Sequence, residues 1–352
     1  MSAARALPPG FRAVALGGGH GLYATLSALR LLTDDVTAVV TVADDGGSSG
    51  RLRRELGVLP PGDLRMALTA LAAGVGSGGS GTRPADRWAE VFQHRFRGDG
   101  ALAGHAVGNL LLAGLIEVLG DPVAALDEAC RLLGVRGRVL PMCPWPLDIE
   151  ADVTGLDDDP AAERRIRGQV ALATTPGRVR QVRLLPAGAP ACEEAVRAVA
   201  AADVIVLGPG SWFTSVLPHL LVPDLLAALL SARGHRIVVL NLVPQPGETA
   251  GFSPEQHLDV LSGHAPALTI DAVVADDDAV AAPERLLGAV RALGGRLFLD
   301  RLAAGGGQDR HDPVALAALL KNVLLDGVTP VGGDGPPEGG RPVGREEQAA
   351  WQ

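Results

Sequence analysis

Two adjacent carboxylates, Asp44 and Asp45, run directly into Gly46, Gly47, Ser48, Ser49, Gly50 and Arg51. Paired hard-oxygen ligands of this kind could hold a magnesium ion, and the two serine hydroxyls with Arg51 could contact a diphosphate. The structural alternative is an Asx turn ahead of a helix, "SSGRLRREL", with its arginines solvated. Capping alone does not call for three glycines and two serines. Asp44 stands 26 residues after Gly18 (44 − 18), close to the spacing of about 20 at which a dinucleotide-binding fold places its ribose-binding acid.

Three further loops carry polar groups in similar settings. "GGGHG" supplies Gly18, Gly19, His20 and Gly21, so that backbone amides can approach a phosphate and lead it to a helix N-terminus. A tight turn without a ligand would use the same glycines. "GPGSWFTS" supplies Gly208, Gly210, Ser211 and Thr214; Pro209 and Gly210 before Ser211, and Trp212 and Phe213 after it, do not make the G-x-S-x-G elbow of a nucleophile. An anion or sugar contact fits this loop better than catalysis, while Trp212 and Phe213 read as helix packing or as a base pocket. "NLVPQPGET" places Asn241, Gln245, Glu248 and Thr249 after an apolar run, although proline turns alone explain that segment. Of eight histidines, His20 and His105 are best placed for chemistry. A lone histidine is more often a hydrogen-bonded structural group. Asn109 beside Gly108 would orient a ligand or cap a helix, and Asp63 after Gly62 reads as an N-cap; Asp63, His105 and Asn109 are also counted among the candidate ligand-binding residues. No zinc spacing and no Ser/His/Asp order is present, so no catalytic residue is assigned.

The elements around these loops follow from hydrophobic patterning. "FRAVALGGGHGLYATLSALRLL" reads as strand, glycine turn and helix, and "DDVTAVVTVADDGG" as a second, continuously apolar strand of the kind buried on both faces of a parallel sheet. "AADVIVLGPGSWFTSVLPHLL" repeats that grammar, and "HRIVVLNLVPQPGET" and "LTIDAVVADDD" add strands ending in polar residues. Alternating strands and helices imply a doubly wound α/β fold with a mainly parallel sheet, whose ligands bind beyond the strands' carboxyl ends. From about 138 to 186, "QVALATT" and "RVRQVRLLP" suggest antiparallel strands in a smaller inserted α+β region or an extension of the sheet. Residues 1–10 read as an N-terminal extension, "GVGSGGSGTRP" (74–84) as a flexible loop and 331–352 as a disordered tail.

At 352 residues the chain can bury a large core, and a net charge of −9 argues against a nucleic-acid footprint. Aromatic residues make up only 3%, too few for a stacking platform. The mean hydropathy is +0.22, but the apolar runs are broken by Gly, Pro or polar residues. No membrane insertion and no secretory signal are expected, and a cytoplasmic location follows. The three cysteines, Cys130, Cys143 and Cys192, are scattered and read as reduced thiols.

Taken in order, "ALGGGHGLYATLSALR", "VTVADDGGSSGRLRRELGVLPPGDLRMALTAL", "GHAVGNLLLAGL", "LGPGSWFTSVLPHLL" and "NLVPQPGETAGF" resemble the YvcK-like gluconeogenesis factors, relatives of 2-phospho-L-lactate transferase (CofD). The resemblance spans roughly residues 11–325. It implies a Rossmann-like nucleotide-binding domain over 11–330 and a cytoplasmic regulator binding a UDP-sugar, notably UDP-N-acetylglucosamine, with effects on carbon metabolism, cell shape and peptidoglycan synthesis. No cofactor is required on this reading beyond the magnesium that Asp44 and Asp45 could hold, and a homo-oligomer is compatible with it. By motif, Gly18, Gly19 and Gly21 would face the phosphates; Asp44, Asp45, Ser48, Ser49 and Arg51 would line the pocket; Gly208, Gly210, Ser211 and Thr214 would close it. Departures stand at His20, where threonine is common, at Met66, where asparagine usually follows "GDLR", and at "SWFTS" in place of "SLYTS". The competing reading is a magnesium-dependent transferase using a nucleotide-diphosphate donor.

Overall fold

The structure, a computed structural model, describes residue 7 and residues 10–72, 84–159, 161–305 and 309–327. β1 (Ala13–Gly17) has all five residues buried and passes through Gly18 into α1 (Gly19–Leu29). β2 (Val36–Val40) leads by an extended segment into α2 (Gly47–Leu56), which ends at Gly57 in the left-handed conformation. Then come α3 (Pro61–Ala72), α4 (Pro84–Gln93), α5 (Val107–Leu119) and α6 (Pro122–Leu133). The start of α6 shows why a helix forms there: Asp121 accepts from the Val123 amide, Pro122 sits at the first turn, and Gly134 ends the helix with a positive φ. β3 (Arg138–Pro141) follows, then β4 (Asp148–Thr154), β5 (Glu163–Arg167), a short helix α7 (Gln169–Ala173), β6 (Arg178–Leu185) and α8 (Glu193–Ala201). The last third runs β7 (Val204–Leu207), a π-helical turn Trp212–Val216, a 3₁₀ turn Leu217–Leu221, α9 (Pro223–Ser231), β8 (His235–Val239), α10 (Pro254–His264), β9 (Ala272–Asp276), α11 (Pro283–Ala292), β10 (Arg296–Asp300) and α12 (Pro313–Gly327).

Seven strands form one sheet in the order β10-β9-β8-β7-β1-β2-β3, and every pairing in it is parallel. The helices pack with one another in two groups, α1, α3, α4, α5, α6 and α12 in one and α8, α9, α10 and α11 in the other, as a doubly wound α/β fold requires. Burial on both faces explains why β1, β2, β7 and β9 read as continuous Val, Ala, Ile and Leu. Each fully buried Leu or Val adds about 1.5–3 kcal/mol of apolar stabilisation before chain entropy is set against it. The chain builds outward from β1 to β2 and β3, then returns to the other side of β1 with β7 and proceeds to β10. The strand order therefore reverses between β1 and β7, and the crevice at their carboxyl ends is where such a sheet takes a ligand.

The middle segment differs from its reading in the sequence in two respects. Arg138–Pro141 pairs in parallel with β2 and closes the main sheet, so the antiparallel part begins only at β4 and has the order β5-β4-β6. "QVALATT" is mainly the helix α7, because Gly168 at φ +104 breaks the extended run just before it. One face of β4 is apolar, with Ile149, Ala151 and Val153 buried. Its other face alternates Asp148, Glu150 and Asp152 against arginines: Arg183 meets Glu150 at 3.0 Å, Arg165 meets Glu150 at 3.2 Å, and Arg53 and Arg167 both reach Asp148. β10 is a strand that the sequence reading did not name.

Asp63 lies in the first turn of α3, which starts at Pro61, and is not its N-cap; Asn109 is likewise the third residue of α5. Cys130, Cys143 and Cys192 are buried free thiols, and burial pushes Cys130 and Cys192 up to about 11. Among the described residues no single helix is long and apolar enough to cross a membrane. The N-terminal extension apart from Leu7 and Gly10, the loop 74–84 apart from Pro84, and the tail 331–352 lie outside the described residues.

Candidate functional site

The loops after β1 and β7 meet backbone to backbone at the crevice. A Cβ on Gly21 would fall 2.1 Å from the Pro209 carbonyl oxygen and 2.7 Å from the Gly210 Cα, and one on Gly18 would fall 2.4 Å from Asp63 Oδ2. Glycine at 18 and 21 is thus required by close approach, whereas Gly19 (φ +58) and Gly208 (φ +76) adopt backbone conformations that L side chains resist. Asn241, just beyond β8, holds the second loop from its far side: its Oδ1 accepts from the Gly210 amide at 2.8 Å and its Nδ2 donates to the Gly210 carbonyl at 2.9 Å. Glu248 holds the π-helical turn, accepting from the Phe213 amide at 3.0 Å, the Thr214 hydroxyl at 2.6 Å and the Ser211 hydroxyl. Burial raises the Glu248 pKa, and those hydrogen bonds oppose the rise. Thr214, expected to close the pocket on a ligand, is buried against Glu248 instead; Trp212 and Phe213 are core residues, the indole donating to the His257 carbonyl at 3.0 Å.

The acids of the second loop separate. Asp44 Oδ1 accepts from the Gly46 amide at 2.9 Å, an Asx turn, and the Ser49 hydroxyl bonds the same carboxylate. Asp45 Oδ1 accepts from the Val170 amide at 3.0 Å, at the start of α7. The expected metal pair, Asp44 with Asp45, makes separate hydrogen bonds: the two carboxylates accept from different partners, although the charge of Asp45 still raises Asp44, and the charge of Asp44 in turn raises Asp63. Gly62 makes room for Ser49 and Asp44, since a Cβ there would sit 2.3 Å from Ser49 Oγ and 3.1 Å from Asp44 Oδ2. Asp63 accepts from the Gly19 amide, and its pKa is pushed up to about 7, first by burial and then by the charge of Asp44. Asp44 is raised too, chiefly by burial. Two carboxylates that oppose each other's ionisation suit a divalent cation, and magnesium needs only one or two of them when phosphates and water complete its shell. Asp44 and Asp63 fit that donor set. No group of three or more His, Cys, Asp or Glu suited to a metal occurs among the described residues.

Ser48, His105 and Asn109 direct their polar atoms inward. Ser48 Oγ accepts from Asn109 Nδ2 at 2.9 Å and shares a hydrogen bond of 2.9 Å with His105 Nδ1. Asn109 Oδ1 accepts from Arg65 Nε at 2.8 Å, Arg65 also donates to Gln93, and Gln93 donates to Thr69 at 2.7 Å. This chain joins α2, α3, α4 and α5. Burial lowers the His105 pKa. Both Ser48 and His105 are buried, and the serine oxygen accepts from Asn109. Arg51, expected on a diphosphate, donates to the Ala101 carbonyl at 2.8 Å on the surface of α2.

Two connected hollows open beside the loops. A narrow one of about 120 Å³ is lined by His20, Gly21, Pro209, Gly210, Asn241, Gln245 and His311, and a wide one of about 980 Å³ by His20, Tyr23, Arg65, Met66, Gln93, Arg95, Arg310 and His311. His20 contributes to both. Arg65, Arg95, Arg310 and His311 went unnoticed in the sequence; the signals were "GDLR" and the polar run "DRHD" ahead of α12. Burial lowers Arg65 to about 10, so it stays cationic at neutral pH. A further hollow of about 430 Å³ lies at the opposite, amino-terminal edge of the sheet around Leu7, Phe11 and Ala202. Its charged pair, Arg12 and Asp203, is bonded to itself, which leaves the strand-end crevice as the site with free chemistry.

A doubly wound sheet with glycine loops at its switch point belongs to the class of α/β proteins whose ligands bind beyond the carboxyl ends of the strands. Within it, the sequence profile described as 2-phospho-L-lactate transferase CofD matches residues 13–291, and the chain belongs to that family, in the group that includes the YvcK-like gluconeogenesis factors. It is similar to a relative from Mycobacterium tuberculosis (58% identical over 352 residues, 96% of this chain and 98% of the relative). The gluconeogenesis factor of Bacillus subtilis is 33% identical over 326 residues, 88% of this chain and 97% of that protein. A crystal structure of a UPF0052 family member from Bacillus halodurans superposes with a TM-score of 0.77 at 32% identity, covering 89% of this chain and all of that one (100%).

Proposed function

We propose that the chain is a cytoplasmic regulatory protein that binds a nucleotide sugar, with UDP-N-acetylglucosamine as the first candidate, and that ligand occupancy bears on carbon metabolism, cell shape and peptidoglycan synthesis. The observation that carries this reading is the meeting of the Gly18–Gly21 and Gly208–Gly210 loops at the sheet's switch point, above a cleft that presents Arg65, Arg95 and Arg310. Backbone amides at a helix N-terminus and guanidinium groups are complementary to a diphosphate. Magnesium, where bound, would rest on Asp44 and Asp63 and neutralise phosphate charge; the chain's own part is to position the diphosphate in the cleft beside the two touching glycine loops, against Arg95 and Arg310.

The Asp44 and Asp63 pair favours one other reading, a transferase that moves a phosphorylated group from a nucleotide diphosphate to an alcohol. Calorimetric titration with UDP-N-acetylglucosamine, UDP-glucose, GDP and GTP, with and without magnesium, separates the two when each mixture is then checked by mass spectrometry. Saturable binding with the UDP-sugar recovered intact supports the regulator. Magnesium-dependent conversion of a guanosine nucleotide would replace it with the transferase, and no binding to any UDP-sugar by the folded protein would end the regulator reading.

A further inference from the structure

Two buried polar atoms, His311 Nε2 and Gln245 Oε1, have no hydrogen-bond partner among the described residues, and both residues line the narrow hollow. His311 is only 6% exposed. Its ring is bonded to the Leu240 carbonyl, and with Nε2 the free atom, the bonded nitrogen is Nδ1. A carbonyl only accepts, so Nδ1 carries the proton and Nε2 presents a lone pair. Burial lowers the imidazole pKa to about 4, which keeps that tautomer neutral near pH 7. Gln245 is fixed by its backbone, whose amide donates to Thr249 Oγ1 at 2.8 Å and whose carbonyl accepts from the Thr249 amide at 3.0 Å. Two buried acceptors in one small hollow are complementary to a neutral group with two neighbouring donors. Against these two atoms phosphate oxygens would bring lone pairs against lone pairs, so a phosphate would turn instead to Arg310, which also lines the hollow, and the imide edge of a uracil offers one donor flanked by two acceptors. A vicinal diol offers two hydroxyl donors on adjacent carbons, and the Pro209, Leu242 and Ala24 side of the hollow suits a ring's apolar edge.

We propose that His311 and Gln245 accept hydrogen bonds from the vicinal diol of a sugar ring in the nucleotide ligand, so that this hollow distinguishes the hydroxylated ring from its deoxy analogue. The inference rests on the nucleotide-sugar reading above and adds the group by which the ligand is selected. A site that hydrogen-bonds a hydroxyl rejects the analogue lacking it, because its own acceptors are then buried unpaired.

The test uses the full-length protein and calorimetric dissociation constants for UDP-glucose, UDP-3-deoxyglucose, UDP and 2′,3′-dideoxyuridine diphosphate. One hydroxylated ligand should bind about tenfold more tightly than its deoxy partner; a gap between the first two places the hexose in the hollow, a gap between the last two the ribose. In His311→Phe and in Gln245→Met that ratio should fall towards one while affinity for the deoxy ligand stays within about twofold. Removing an unpaired buried nitrogen should leave the melting temperature of His311→Phe unchanged or higher; if that variant does not fold, Gln245→Met, on a turn, decides alone. Equal binding of both pairs by the native protein, or a ratio that persists in the variants, as buried water in the hollow would give, overturns the assignment and leaves the nucleotide-sugar reading intact. Failure of the native protein to bind any uridine diphosphate overturns both.

Discussion

Replacing Asp63 by Asn isolates the electrostatic cost of the acid pair beneath the first glycine loop. The Asp63 pKa rises from 3.8 to about 7 in the folded chain, a difference of about three pKa units at 1.36 kcal/mol each, or roughly 4 kcal/mol. Part of its side chain remains accessible, although densely enclosed, so we take that as the upper end of a range of about 2–4 kcal/mol. With the folded pKa above the unfolded one, the contribution to stability is fully present below the unfolded value and is lost as pH rises through about 7. Asn has no charge to bury and keeps an oxygen for the Gly19 amide. The two proteins should therefore be similar in stability at low pH, and by pH 8 the variant should be the more stable by about 2–4 kcal/mol. Urea denaturation at pH 4, 6 and 8 in chelator-treated buffer reads this directly, since titrating groups other than the coupled Asp44 cancel in the difference. Adding magnesium at pH 8 should stabilise the native protein and not the variant. A stability difference that does not grow with pH would refute the claim that Asp63 is held near neutrality by burial and by Asp44.

Gly21→Ala places a methyl 2.1 Å from the Pro209 carbonyl oxygen and should cost about 1–3 kcal/mol by forcing the two loops apart, with loss of nucleotide binding in the same calorimetric assay; native stability and affinity would contradict the contact. Glu248→Ala leaves the Phe213 amide and the Thr214 hydroxyl without their acceptor and should destabilise by about 2–5 kcal/mol in denaturant melts, whereas Glu248→Gln, which keeps one acceptor oxygen, should lose less. A variant pair of equal stability would show that the turn after β7 does not depend on this carboxyl group.

The main sheet was legible because parallel strands buried on both faces announce themselves as unbroken Val, Ala, Ile and Leu. β10 was less so: "RLFLD" is only partly buried, with both ends exposed, and carries charges at those ends. "QVALATT" alternates like a strand, and only the positive φ at Gly168 turns it into a helix, a property that sequence spacing does not carry. The glycine loops were legible as a phosphate-type grammar, but a substantial part of what their glycines do is close approach between loops some 190 residues apart (209 − 21 = 188). Sequence adjacency misled at Asp44 and Asp45, since successive side chains of extended backbone point to opposite sides. The partner that matters, Asp63, comes from a different element. Arg310 and His311 escaped for the same reason: they reach the crevice from beyond β10, and nothing local in "DRHD" points to β1.

The divergence of Asp44 and Asp45 makes one peptide a mechanical joint. Asp44 belongs to the crevice, through its Asx turn and its place beside Asp63, while Asp45 grips the first turn of α7 and with it the outer three-stranded sheet. One peptide thus ties the crevice beside Asp63 to the outer sheet, whose edge strand, β5, carries Arg164, Arg165 and Arg167.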